Sequence, residues 1–105
     1  MIEAIELWHK RARPEPTDRD FDVTLGVHLE EFVEMLDTLV FDNGAEMLGE
    51  HTLARTALHN LSQSLKKGLI TATIIDRKEF LDALADQVVT AVGTGHCAGM
   101  KTAEA

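Results

Sequence analysis

Glu30, Glu31 and Glu34 put three carboxylates into five residues of the stretch LEEFVEML, and Glu79, Asp82 and Asp86 repeat the theme at i, i+3 and i+7. On a helix turning about 100° per residue, Glu31 and Glu34 share a side, Glu30 lies beside them, and Leu25, Leu29, Phe32 and Leu36 cluster roughly opposite. The residues four positions after Glu31, Glu34, Glu79 and Asp82 are Met35, Thr38, Ala83 and Asp86. Neither stripe therefore carries the Lys or Arg that would make it an ordinary salt-bridged surface. One stripe alone reads as a solvated face. Two stripes facing each other across a cleft would repel strongly, and divalent cations would remove the repulsion. Hard oxygen donors, with no thiolate and no convergent histidine, suit Mg²⁺, with Mn²⁺ as a substitute, and Mg²⁺ keeps open positions that phosphate oxygens fill. The chemistry these residues point to is a metal-assisted reaction on a phosphorylated substrate.

The order Glu30-Glu31-x-x-Glu34 followed by Glu79-x-x-Asp82 resembles the E-E-x-x-E and E-x-x-D motifs of the all-α nucleoside triphosphate pyrophosphohydrolases. That superfamily comprises the MazG-like proteins, dimeric dUTPases, dCTP pyrophosphatases and phosphoribosyl-ATP pyrophosphohydrolase. EFLDALADQVVTAVGTGHCAGM resembles the family's second motif helix, and LWHKRARPEP its N-terminal helix with the proline-bearing loop that follows. The resemblance implies Mg²⁺ ligands at Glu31, Glu34, Glu79 and Asp82. It makes Glu30 a further carboxylate that binds metal or orients and deprotonates the attacking water, with Glu31 beside it in the catalytic set. The implied reaction is hydrolysis of a nucleoside triphosphate to the monophosphate and pyrophosphate. Phosphoribosyl-ATP is the alternative substrate, and a non-catalytic helical oligomer or adaptor that retains the fold is the alternative of a different class. The 44 residues between Glu34 and Glu79 (79 minus 34 minus 1) are more than the family's usual gap and include the whole third helix.

Three further residues are candidates for the substrate. His9 matches a position that contacts nucleotide in some relatives, or it is a helix-end histidine packed on the bundle. Trp8 offers a base-stacking face, against a place in the core. Asp86 reaches the sugar or a metal, or is merely solvated. Lys66, Lys67, Arg77 and Lys78 meet phosphates or are plain surface charge.

Four helices must position these groups. The first runs from residue 2 to about 12, ended by RPEP. The second opens at Thr17 or Asp18 as N-cap and carries Phe21, Leu25, Leu29, Phe32, Leu36 and Leu39 to about residue 41. A DNG turn at residues 42–44 follows, then a third helix with Met47, Leu48, Leu53, Leu58, Leu61 and Leu65 that ends at Lys66, Lys67 and Gly68. LITATII, residues 69–75, is rich in β-branched side chains and reads as a short strand or an extended connector. Asp76 and Glu79 have the spacing of a capping box before a fourth helix with Phe80, Leu81, Leu84, Val88 and Val92. Gly93 and Gly95 suggest close packing or an early end to that helix, and the tail from about residue 100 is expected to fray.

The fold expected is an all-α bundle of about four helices in one domain of 105 residues. So short a chain has little core to spare, and Val27, Val33 and Val40 lie beside the main apolar stripe. Completion as a homo-oligomer, a dimer or tetramer, is therefore expected. A formal net charge of -8 argues against nucleic acid or an anionic membrane as the main partner. No window is apolar enough for a membrane span, and the single Cys97 fits a small buried apolar position in a cytoplasmic protein.

Overall fold

A computed structural model describes residues 1–42 and 49–101. It contains four helices in the order α1 (Ile2–Ala12), α2 (Asp18–Asp37), α3 (Glu50–Lys66) and α4 (Arg77–Cys97), with no strand among the described residues. The all-α expectation holds. Residues 69–75, where a strand was one of two readings, are a connector. Two compact units divide the chain, Met1–Ala72 and Thr73–Ala105.

In the first unit, Glu3 in the first turn of α1 and His9, Lys10 and Arg11 in its last turn suit the helix dipole. The helix stops at Arg13, whose backbone the following Pro14 drives out of the helical region. No residue of α1 is buried. Trp8 is 63% exposed, so it is not a core residue of this chain.

Thr17, rather than Asp18, caps α2. Its Oγ1 accepts from the Asp20 amide at 3.1 Å, and Asp20 Oδ2 accepts from the Thr17 amide at 2.9 Å, a reciprocal capping box. Removing such a cap costs about 1 kcal/mol. The other end departs from expectation, because α2 stops at Asp37 rather than near residue 41. The Thr38 hydroxyl donates to the Met35 carbonyl at 2.7 Å, while the Thr38 and Leu39 amides turn to carbonyls three residues back. This side-chain competition with the backbone, followed by β-branched Val40, closes the helix. Leu39 is 51% exposed and Val40 95% exposed, beyond the helix end.

α2 packs on α3, and the pairs that meet show the two to be antiparallel. The start of α2 touches the end of α3 through Arg19 and Lys66, and its end touches the start through Asp37 and Arg55. The helices approach closely at Gly26, where an added Cβ would lie 2.9 Å from the Ser62 carbonyl oxygen. The Ser62 hydroxyl, fully buried, donates to the Gly26 carbonyl at 2.6 Å. Val33 and Leu65 are the buried apolar residues among those described. Val33, expected beside the main apolar stripe where it would favour a partner chain, is instead buried within this chain, whereas Val27 and Val40 are exposed. Phe21, Leu25, Leu29, Phe32 and Leu36 are half-buried.

The end of α3 follows its signals. Gly68 has φ +75°, its amide bonds to the Leu65 carbonyl, and the Leu69 amide bonds to that of Ser64. Arg19 adds a side-chain cap, donating to the carbonyl oxygens of Leu65 (2.6 Å) and Lys66. Beyond it the Ala72 amide donates to the buried Asp22 at 3.0 Å. The DNG turn, in residues 43 and 44, and the expected Met47 and Leu48 positions lie outside the described residues.

In the second unit, Asp76 Oδ1 accepts from the Glu79 amide at 3.0 Å and starts α4. The helix continues through both glycines to Cys97. A Cβ on Gly93 would meet nothing within 4 Å, so close packing within its own unit does not account for it. Cys97 is exposed, against the buried position expected. α4 buries no residue, and Leu81 (65%) and Val92 (54%) are open on it.

Candidate functional site

On α2 the acidic row runs Glu30, Glu31, Glu34 and Asp37, and α3 supplies cations to its two ends. Lys66 Nζ lies 2.5 Å from Glu30 Oε2, with each side chain about one third exposed. Arg55 grips Asp37 with two donors, Nε to Oδ1 at 2.9 Å and the terminal nitrogen to Oδ2 at 3.0 Å. The hydrogen bond from Arg55, helped by the charges of Arg55 and His59 and opposed by some burial, holds the Asp37 carboxyl below its ordinary range.

Between these ends, Glu31 and Glu34 have no ion pair among the described residues. The charge of Glu31 comes first in pushing the Glu34 carboxyl upward. Partial desolvation, a hydrogen bond with Glu31 and the charges of Glu30 and Asp37 add to it. The centre of the row is thus a place where negative charge is held against its own repulsion, the circumstance a cation relieves. Its donors are carboxylate oxygens on a packed helix whose opposite side carries Leu29, Phe32 and Leu36. That donor set fits Mg²⁺ or Mn²⁺.

In the second unit, Glu79, Asp82 and Asp86 are all exposed on α4. Glu79 stands in the first turn with Asp76 as its cap. None of the three has an ion pair among the described residues, although Arg77 and Lys78 are close in sequence. Among the described residues, no group of three or more His, Cys, Asp or Glu is gathered to hold a metal ion. The substrate candidates on α1 are exposed, and the Trp8 and His9 rings meet edge to face at 4.9 Å and 86°. Arg13 ties the end of that helix to α2 through Asp20 at 3.5 Å.

Lys66 and Arg55 as partners of the acidic row are what sequence reasoning missed. A search for cations one turn away on the same helix does not reach across to α3. The signal that could have found them is the pair of small residues, Gly26 and Ser62, that brings the two helices together.

Compared with known proteins, the chain matches no family model, no curated protein and no solved structure.

Proposed function

We propose that the chain is a Mg²⁺-dependent nucleoside triphosphate pyrophosphohydrolase. The observation that carries this reading is the uncompensated Glu31–Glu34 pair, left between two carboxylates that α3 neutralises. The motif resemblance, Glu30-Glu31-x-x-Glu34 with Glu79-x-x-Asp82, supplies the reaction class.

On this reading Glu31, Glu34, Glu79 and Asp82 hold the metal, which when bound neutralises the triphosphate and makes its phosphorus electrophilic. Glu30, seconded by Glu31, orients the water and takes its proton as the water oxygen bonds to phosphorus. The bond from that phosphorus to the leaving pyrophosphate breaks, giving the nucleoside monophosphate and pyrophosphate. Trp8 and His9, side by side on α1, offer a stacking face and a polar edge to the nucleoside, and Asp86 a carboxylate to its sugar. Helix faces open at Ile5, Leu7 and Trp8 on α1 and at Leu81, Val89 and Val92 on α4 support a homo-oligomer, a dimer or tetramer. Among the described residues no helix is long and apolar enough to cross a membrane. A nucleotide substrate and a single thiol fit the cytoplasm.

Those open faces also favour a second reading, a non-catalytic oligomer. A panel of canonical and modified nucleoside triphosphates, with phosphoribosyl-ATP included, tests the first. Purified protein should release pyrophosphate from at least one member with Mg²⁺ or Mn²⁺, and a silent panel would overturn the enzyme reading.

A further inference from the structure

Lys66 lies in the segment that the motif resemblance leaves unassigned, and its course across the helix pair is fixed at several points. A Cβ on Gly26 would stand 2.7 Å from Lys66 Cγ, so the lysine stem lies where Gly26 has no side chain. Glu30 is one helical turn further along α2, and the ammonium ends 2.5 Å from its Oε2. The Ser62 hydroxyl bond to the Gly26 carbonyl sets the register of the two helices. Arg19 holds the Lys66 carbonyl. Most of the ordering that makes a surface ion pair weak is therefore done by the packing.

We infer that Lys66 is a positioning residue that divides the three glutamates by role, keeping Glu30 out of the metal's coordination so that it serves the water. This rests on the metal-dependent hydrolase reading. A cation entering the row finds an ammonium already at Glu30 and bare charge at Glu31 and Glu34, so Coulomb attraction sends it to those two. Glu30 is held through Oε2, with Oε1 left to accept the proton of the attacking water.

The test compares wild type with Lys66→Met, Lys66→Arg, Glu30→Gln and the Lys66→Met/Glu30→Gln pair. Mg²⁺ affinity is read by calorimetry, and kcat and KM on the best triphosphate of the panel. Losing the ammonium and freeing Glu30 as a third ligand should tighten Mg²⁺ about tenfold in Lys66→Met. The same variant should lower kcat by about 100-fold, the scale of a lost general base, with KM nearly constant. Lys66→Arg should restore both, and in the Glu30→Gln background Lys66→Met should tighten Mg²⁺ far less. A Lys66→Met protein that folds with wild-type Mg²⁺ affinity overturns the inference while leaving the hydrolase reading intact. So does one whose KM rises with kcat unchanged, the mark of a phosphate-binding lysine. A wild-type protein that neither binds Mg²⁺ nor releases pyrophosphate overturns both.

Discussion

The carboxylate rows of α2 and α4 look alike in sequence and sit in different surroundings. On α2 the acids project from a helix packed against α3, with Lys66 on Glu30, Arg55 on Asp37 and the pair Glu31–Glu34 without a cation between them among the described residues. On α4 the acids stand on a helix with no buried residue and have no ion pair among the described residues. The glycines of the two helices differ in the same way. Gly26 marks a contact that a single methyl group would break, and Gly93 faces open space. The α2 row is therefore shaped by its own unit, whereas the α4 row has charge and spacing only.

The largest effect that would break this comparison is on activity. Glu34→Gln and Asp82→Asn should each lower pyrophosphate release by at least about 100-fold while circular dichroism shows the helices kept. Equal losses from two differently supported helices would mean that both rows serve one reaction, and activity surviving either change would remove that helix from it.

Next comes stability. Gly26→Ala should lower the unfolding free energy by about 1–3 kcal/mol, because the Ser62 carbonyl is backbone and cannot swing aside. Gly93→Ala should raise it by about 0.5–1 kcal/mol, since alanine favours the helix and meets nothing. Thermal or urea unfolding of the two variants gives opposite signs if the contrast holds.

The smallest effect is on pH dependence. Asp37 is depressed by Arg55, so its contribution to stability is present above its ordinary value of 3.8 and is lost as the pH falls through the lower folded value. Arg55→Met should flatten that acid limb. Glu34 is shifted the other way, so its contribution is present below its ordinary value of 4.5 and is lost as the pH rises through the higher folded value. Glu34→Gln should remove that loss, and unfolding curves across the acid range measure both.

Helix starts and stops were legible where a local device sets them. The Thr17 and Asp76 caps and the Lys66-Lys67-Gly68 end are each written within a few residues of chain, although the reciprocal box expected at Asp76 and Glu79 is found at Thr17 and Asp20, with Asp76 supplying a one-sided cap. What sequence periodicity did not show was the partner of each face. Val33 was placed beside the main stripe, ready for a partner chain, because the position of α3 is a tertiary fact, and for Trp8 the sequence left a stacking face and a core position both open because apolar size alone does not fix burial. α2 ends early because the Thr38 hydroxyl outcompetes the helix, a bond that an apolar spacing of three and four does not reveal. The carboxylates themselves were readable from type and spacing. Their division into neutralised and bare members was not, since it depends on which side chains of α3 reach across Gly26 and Asp37.

The proposal that most needs testing is that Glu31, Glu34, Glu79 and Asp82 are all ligands of Mg²⁺. Calorimetric titration of Mg²⁺ into wild type, Glu34→Gln, Asp82→Asn and the double variant tests it directly. On that proposal, each single change should abolish most of the specific heat and the double change should add little more, the non-additivity of residues acting together. No specific Mg²⁺ heat in the wild-type protein, or losses that simply add, would contradict it.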